Sequence, residues 1–569
     1  MTIREETTTF ETSGGPGTSA GDTAGISQEG TPGVRHAELL RLVNAVIWPG
    51  FCGQTVPQWL AAALHQGVAG VVYFSQNIDP EDPAQPARLS ASVRDANPLA
   101  VIGSDEEGGN VTRLESRLGS SIPGAAVLGR IDDASVTEAA GRAIGEMCRN
   151  AGINLVLAPV ADVNTNPLNP VIGVRSFGDR PGLAGRHTAA MVTGIQAAGV
   201  GACAKHFPGH GDTSADSHLE LPTLRQTLDE IKAGHLPPFR DAVAAGVKAV
   251  MTAHIVVPGL GPAPATLNPA AGSLLRGLGF EGLQITDALD MAAIRATTGS
   301  GRGAVLAVLA GADLLCLGNP ATSGDGVGTA TRNDDDNDGD GGIRPDEAAY
   351  LEVRDALLAA VADGTLTVEQ LRDAGRRVAD FAHWAGDASA AAAARPTLPV
   401  PDWVAAAAGA CSFSHPAGTG ADAGTNQMQP VVLPPGTRKV LLVDARRGQN
   451  QAAGRTSDLF AAALADYVTV APLPASDLPG AGRRHTHHDT PAHGESVVVL
   501  VGGLAAGSPG LAAAGAARAI PGAVCINTGV AAPPDPPLPT LNCFGSSRAT
   551  AQAVARILCA AGPAERRTV

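Results

Sequence analysis

The sequence has no surplus of basic residues, no closely spaced cysteine pair and no long apolar run, and each absence excludes a class of function. Lys and Arg number 40 against 55 Asp and Glu, for a formal net charge of −15. Nucleic acids and anionic membrane surfaces are met by clustered cations, so neither is expected as a main partner. A neutral or small anionic ligand remains compatible, because a local basic pocket can sit in an acidic protein. The eight cysteines (Cys52, Cys148, Cys203, Cys316, Cys411, Cys525, Cys543 and Cys559) lie far apart with no CxxC among them. That spacing excludes a disulfide framework or zinc site and reads as buried thiols in a reducing compartment. The N-terminal segment lacks both the basic start and the apolar run of a secretory signal, and no stretch has the profile of a membrane span. A cytoplasmic protein is the expectation. Aromatic residues are also few, at 3%, while 70 Gly and an apolar share of 44% give a globular composition.

The 569 residues exceed what one ordinary core accommodates, so two domains are expected. Residues 1–35 are rich in Thr, Ser, Gly and Glu and cannot bury enough apolar area to offset their ordering entropy, which predicts a disordered tail. From 36 to 385, short apolar runs alternate with helical patterns, as in parallel strands joined by crossover helices. The runs fall at 43–48, 69–74, 100–104, 154–160, 201–204, 249–253, 283–286 and 312–317. Eight strands over this length predict a (β/α)8 TIM-type barrel. Polar residues support the count, since such barrels carry their sites after the carboxyl ends of the strands. Asp105 and Glu106 follow the third run, Asp162 the fourth, Lys205 and His206 the fifth, His254 the sixth and Asp287 the seventh. Residues 386–437 read as a linker. A smaller α/β domain with a mostly parallel sheet is expected over 438–569, with strands at 439–444, 496–503, 523–527 and 539–545 and a closing helix at 547–560.

The segment KHFPGHGDTSADSH, 205–218, packs a cation, three histidines and two aspartates behind a strand, with Pro208, Gly209 and Gly211 forbidding a helix. Asp216 and His218 are two apart in a loop, near enough for the carboxylate to hold one ring nitrogen and leave the other for proton transfer. A solvated or metal-binding polar cluster is the competing reading of the same residues.

This segment resembles the loop signature of glycoside hydrolase family 3 β-N-acetylglucosaminidases. Four further blocks, in order, are similar to that family: GSDEEGGNVTRL at 103–114, APVADVN at 158–164, VIGVRSFG at 171–178 and LQITDALDM at 283–291. More weakly, FGSSRATAQAVARIL at 544–558 resembles the end of the family's second domain. The resemblance implies a retaining exo-acting enzyme with Asp287 as nucleophile and His218, oriented by Asp216, as general acid/base. It implies that Asp105, Arg113, Arg175, Lys205 and His206 bind the sugar, a small carbohydrate being the expected partner and no cofactor being required. One departure is Asn110, where many relatives carry Arg, which implies a reduced contact near the site entrance.

Asp336, Asp338, Asp340 and Glu347 fit the D-x-D-x-D-G-x5-E pattern of a calcium loop. The exiting helix is present in the pattern and the incoming one is not, so a structural Ca²⁺ competes with an acidic loop favoured by a helix dipole. His485, His487 and His488 read as a solvated loop. A phosphorylase, a β-glucosidase or a non-catalytic sugar-binding protein on the same barrel are the alternatives.

Overall fold

The computed structural model describes residues 36–214, 221–321, 343–396, 398–417, 429–446, 458–479 and 492–559. The tail expected at 1–35 lies outside the described residues. The first domain is built on eight strands: β1 Ile47–Trp48, β2 Gly70–Tyr73, β3 Val101–Ser104, β4 Leu155–Val156, β5 Gly201–Phe207, β6 Ala249–Thr252, β7 Leu283–Thr286 and β8 Leu315–Cys316. β2 to β7 are parallel neighbours in chain order, and β1 pairs with β8. Bridges from Gly50 to Val72 and from Ile285 to Leu314 join the two pieces, which closes the expected barrel.

These strands are buried on both faces because helices cover the outside, so every strand residue is buried and most are apolar, with polar ones such as Lys205, His206 and Gln284 held inside. Trp48, Val72, Val101, Leu155, Met251, Ile285 and Leu314 pack together inside the barrel. Trp48 explains why β3 carries Gly103: a Cβ there would lie 2.2 Å from the indole. The indole Nε1–H donates to the Val101 carbonyl at 2.8 Å.

The run expected as a strand at 43–48 divides. Val43 and Asn44 form the end of the helix His36–Asn44, and only Ile47–Trp48 pairs. A short, fully apolar run does not distinguish the two periodicities.

The second domain is one sheet of β9 Ser412–Ser414, β10 Lys439–Asp444, β11 Thr469–Pro472, β12 Glu495–Val501, β13 Val524–Asn527 and β14 Thr540–Asn542. Its order is β11-β10-β12-β13-β14-β9, parallel except for β9, which runs antiparallel to β14. The linker expected at 386–437 is corrected by this arrangement. Helix Val368–Ala393 continues past 385, helix Trp403–Ala410 follows, and β9 is already part of the second sheet. An alanine-rich stretch extends a helix readily, and helix Trp403–Ala410 is nucleated by Asp402, whose carboxylate accepts the N–H groups of Val404 and Ala405.

The domains share an apolar seam in which Ala126 and Val127 of the barrel meet Ala407, Ala410, Phe544 and Ala553. Among the described residues no helix is long and apolar enough to cross a membrane.

Candidate active site

The carboxyl ends of β3, β5 and β7 meet over one cavity of about 360 Å³, lined among others by Asp105, Glu107, Arg113, Arg175, Lys205, His206, His210 and Asp287. Five of these side chains form an alternating series. Arg113 Nη2 donates to Asp105 Oδ2 at 3.0 Å and Lys205 Nζ to Asp105 Oδ1 at 2.7 Å. Lys205 Nζ also reaches Glu107 Oε1 at 2.8 Å. Arg175 then grips Glu107 with two parallel bonds, Nε to Oε2 at 2.9 Å and Nη2 to Oε1 at 2.7 Å.

Isolated, each of these charges would be costly to bury, and mutual pairing is what allows them to stay ionised. Burial works against the Asp105 carboxylate, but Lys205 and then Arg113 outweigh it and hold the group well below the usual range. The same contest leaves Glu107 at about 2, with Arg175 and Lys205 overcoming burial. Burial likewise opposes the charge on Lys205, yet Asp105 and Glu107 raise its pKa above the ordinary value. The series therefore presents fixed donors and acceptors across the physiological pH range, which suits recognition of sugar hydroxyls and an amide.

A second arrangement lies beside it. Asp162 is fully buried, and its Oδ2 is 2.8 Å from His206 Nδ1 while Oδ1 accepts the backbone N–H groups of His206 and His210. The carboxylate fixes the imidazole orientation, as carboxylate partners of histidine generally do. His210 Nδ1 is 2.8 Å from Thr213 Oγ1. Burial drives its pKa down to about 4 against the opposing pull of Asp162, so this ring is neutral at pH 7.

Asp287 sits one residue beyond β7 and half-buried; its Oδ1 accepts the Ala288 N–H at 2.8 Å, and its own N–H donates to the Thr252 carbonyl at 3.1 Å. His254, noted after the sixth run, is buried, with Nε2 2.9 Å from the Ala288 carbonyl and Nδ1 3.0 Å from Thr266 Oγ1. It supports the Asp287 loop from behind.

The structure thus brings together Asp105, Arg113, Arg175, Lys205, His206 and Asp287. Asp216 and His218 lie outside the described residues. So do Asp336, Asp338 and Asp340 of the candidate calcium loop, and His485, His487 and His488; Glu347 is in the first turn of helix Pro345–Ala362. Among the described residues no cluster of His, Cys, Asp and Glu is arranged to hold a metal.

Sequence reasoning missed Glu107 as a member of the series. It stood in plain view in the DEEGG block, and the signal was three expected sugar-binding cations, Arg113, Arg175 and Lys205, for a single carboxylate at Asp105. Glu106, by contrast, turns away from the cavity: its Oε1 accepts the N–H groups of Arg113 at 2.5 Å and Leu114 at 2.6 Å, closing the loop on itself. Asn110, the departure from the family, lines the cleft that adjoins the cavity at Arg175 and Val171, and its Oδ1 accepts the Ser546 N–H of the second domain at 2.8 Å.

Comparison with known proteins agrees with this geometry. The chain is 37% identical over 244 residues to a β-hexosaminidase of Stenotrophomonas maltophilia (strain R551-3), covering 41% of this chain and 71% of that one. It is 36% identical over 267 residues to β-hexosaminidase A of Pseudoalteromonas piscicida, where the match covers 42% of this chain and only 44% of the relative. A solved glycoside hydrolase family 3 β-N-acetylglucosaminidase from Paenibacillus sp. str. FPU-7 superposes with a TM-score of 0.73 at 28% identity, over 92% of this chain and 96% of that one. Residues 52–381, more than half of the chain and nearly the whole barrel, match the glycosyl hydrolase family 3 N-terminal domain. The chain belongs to glycosyl hydrolase family 3.

Proposed function

We propose that the chain is a retaining exo-β-N-acetylglucosaminidase, removing terminal non-reducing β-linked N-acetylglucosamine from muropeptide or chitooligosaccharide fragments through a glycosyl-enzyme on Asp287. The observation that carries this reading is a juxtaposition: the Asp287 carboxylate and the five-residue ionic series line the same cavity of about 360 Å³. A cavity near the lower end of small-ligand sites accommodates one sugar ring better than a chain of them, in keeping with exo action. The β-hexosaminidase relatives and the Paenibacillus β-N-acetylglucosaminidase support an N-acetylated sugar as the substrate.

In the first step an Asp287 oxygen attacks the anomeric carbon as the bond to the leaving oxygen breaks, and His218, oriented by Asp216, gives that oxygen a proton. In the second, the now neutral His218 takes a proton from water, whose oxygen attacks the same carbon and releases the Asp287 carboxylate. Two inversions return the β configuration. Imidazole suits the shared acid and base role because its ordinary pKa lies near working pH. Water is the only reactant in these steps besides the sugar and the chain's own side chains, so no cofactor is assigned. Eight free thiols support work in a reducing compartment, the cytoplasm.

The test is turnover of aryl β-N-acetylglucosaminide and aryl β-glucoside by the purified protein, with and without phosphate. Rapid release of free N-acetylglucosamine in either buffer is the expected result. Formation of a sugar 1-phosphate would make it a phosphorylase, preference for the glucoside a β-glucosidase, and binding without turnover a sugar-binding protein.

A further inference from the structure

Arg113 is the least firmly held member of the ionic series. Arg175 makes two bonds to Glu107 and a third, through Nη1, to the Val171 carbonyl at 3.1 Å. Arg113 makes one bond, to Asp105 at 3.0 Å, and its Nε is buried without a hydrogen-bond partner. Its placement therefore depends on the backbone that carries it. That backbone is bracketed from the second domain. Three residues before Arg113, Asn110 accepts the Ser546 N–H; two residues after it, Glu115 Oε1 accepts Arg548 Nη2 at 2.8 Å. The Arg548 N–H adds a bond to the Ser120 carbonyl at 2.8 Å, and Glu115 Oε2 in turn accepts Ser121 N–H and Oγ–H.

The docking segment is itself fixed. Phe544 sits at φ 56°, a conformation that costs a bulky side chain free energy unless its surroundings enforce it. The Arg130 guanidinium lies 4.6 Å from its ring centroid, and Ser546 and Ser547 are buried. Leu459 of the second domain lies against Gly119, where a Cβ would come within 2.6 Å of it.

We propose that Asn110 and Arg548 are positioning residues for the sugar pocket: through them the second domain holds the 106–121 loop, and with it Arg113, at the distance from Asp105 that substrate needs. This rests on the reading of Arg113 as a sugar ligand under the proposed function. The bonds act on binding and leave Asp287 untouched, so their loss should move KM and spare kcat.

The test compares Asn110→Ala, Arg548→Ala and their combination with the conservative Asn110→Asp and Arg548→Lys, in the full chain. The double alanine variant should raise KM for an aryl β-N-acetylglucosaminide about tenfold with kcat within about twofold. Asn110→Asp retains the acceptor and Arg548→Lys the charge, so both should restore most of the affinity. Hydrogen exchange reads the same device without substrate. Amides of 106–121 should lose protection in the alanine variants while those of β5 and β7 keep theirs. If the double variant does not fold, the single variants carry the comparison. Unchanged KM with unchanged protection would overturn the proposal, and so would conservative variants that fail as badly as alanine. Wild-type inactivity on this substrate would count against the proposed function, leaving the exchange result to decide the inference alone.

Discussion

The two sheets open their carboxyl ends on adjoining spaces of different chemistry, the barrel's on the cavity of about 360 Å³ and the second sheet's on the cleft between the domains. The barrel's strand ends supply Asp105, Lys205 and Asp287 to that cavity, whereas the second sheet's supply Ala445, Gly502, Gly503, Thr528 and Gly529 to the cleft. Arg446, the cation at that edge, turns back on Asp444, with Nε 2.9 Å from Oδ1. Arg175 and Val171 line both the sugar-sized cavity and the cleft between the domains. The ionisable side chains thus gather on the barrel, and small residues that let two backbones approach sit on the second domain.

The sharpest way to break that division is at the proposed nucleophile. Asp287→Ala should lower kcat by about 10⁴-fold or more on even activated aryl substrates, because no covalent intermediate can form; near wild-type turnover would move the chemistry elsewhere. Next in size is His218→Ala. Poor leaving groups should slow by about 10²–10⁴-fold and acidic phenols much less, with azide rescuing the activated substrate. Equal losses without rescue, together with that leaving-group pattern in His206→Ala, would transfer the acid/base role to the Asp162–His206 pair.

A smaller effect sharpens the comparison at the loop the domains share. Burial raises Glu106 to about 7, against the lowering influence of the Leu114 and Arg113 N–H groups. A carboxyl raised on folding contributes stability below its ordinary value of 4.5 and loses it as pH climbs to about 7. Glu106→Gln should therefore gain about 1–3 kcal/mol relative to wild type at pH 8, with the difference shrinking toward pH 4.5. A gap that does not depend on pH would show that Glu106 does not titrate in this range. The smallest effect is expected from chelator, a melting shift within about 1 °C if the 336–347 segment is only an acidic helix start. A larger drop restored by Ca²⁺ would make it an ion site.

How much of this was legible follows from what each element has to satisfy. β7 and β10 fall on the expected residues because each carries strand-favouring apolar residues up to an aspartate at its end, Asp287 in one case and the terminal Asp444 in the other. β4 was expected at 154–160, but the regular strand ends at Val156; Pro159 has no N–H to give, and the stretch stays beside β5 through the Ala158 and Pro159 carbonyls, which accept the Cys203 and Lys205 N–H groups, and the Val160–Lys205 bridge. β9 and β11 escaped notice as short, half-buried or exposed edge strands without an apolar signature. In the site, residue types at strand ends were readable, and their partners were not. Lys205 and Asp105 stand 100 positions apart, and only barrel closure makes them neighbours. The contacts of Asn110 with the second domain had no local signal at all.

The central claim is that bond making occurs on the barrel at Asp287. A slowly turned-over activated fluoroglycoside of N-acetylglucosamine, followed by digestion and mass spectrometry of the peptides, tests it directly. The account predicts a single sugar adduct on the peptide spanning 283–291, carried by Asp287 and absent from Asp287→Ala. An adduct on another carboxylate, or steady turnover in which no adduct ever accumulates and the first product has the α configuration, would contradict it.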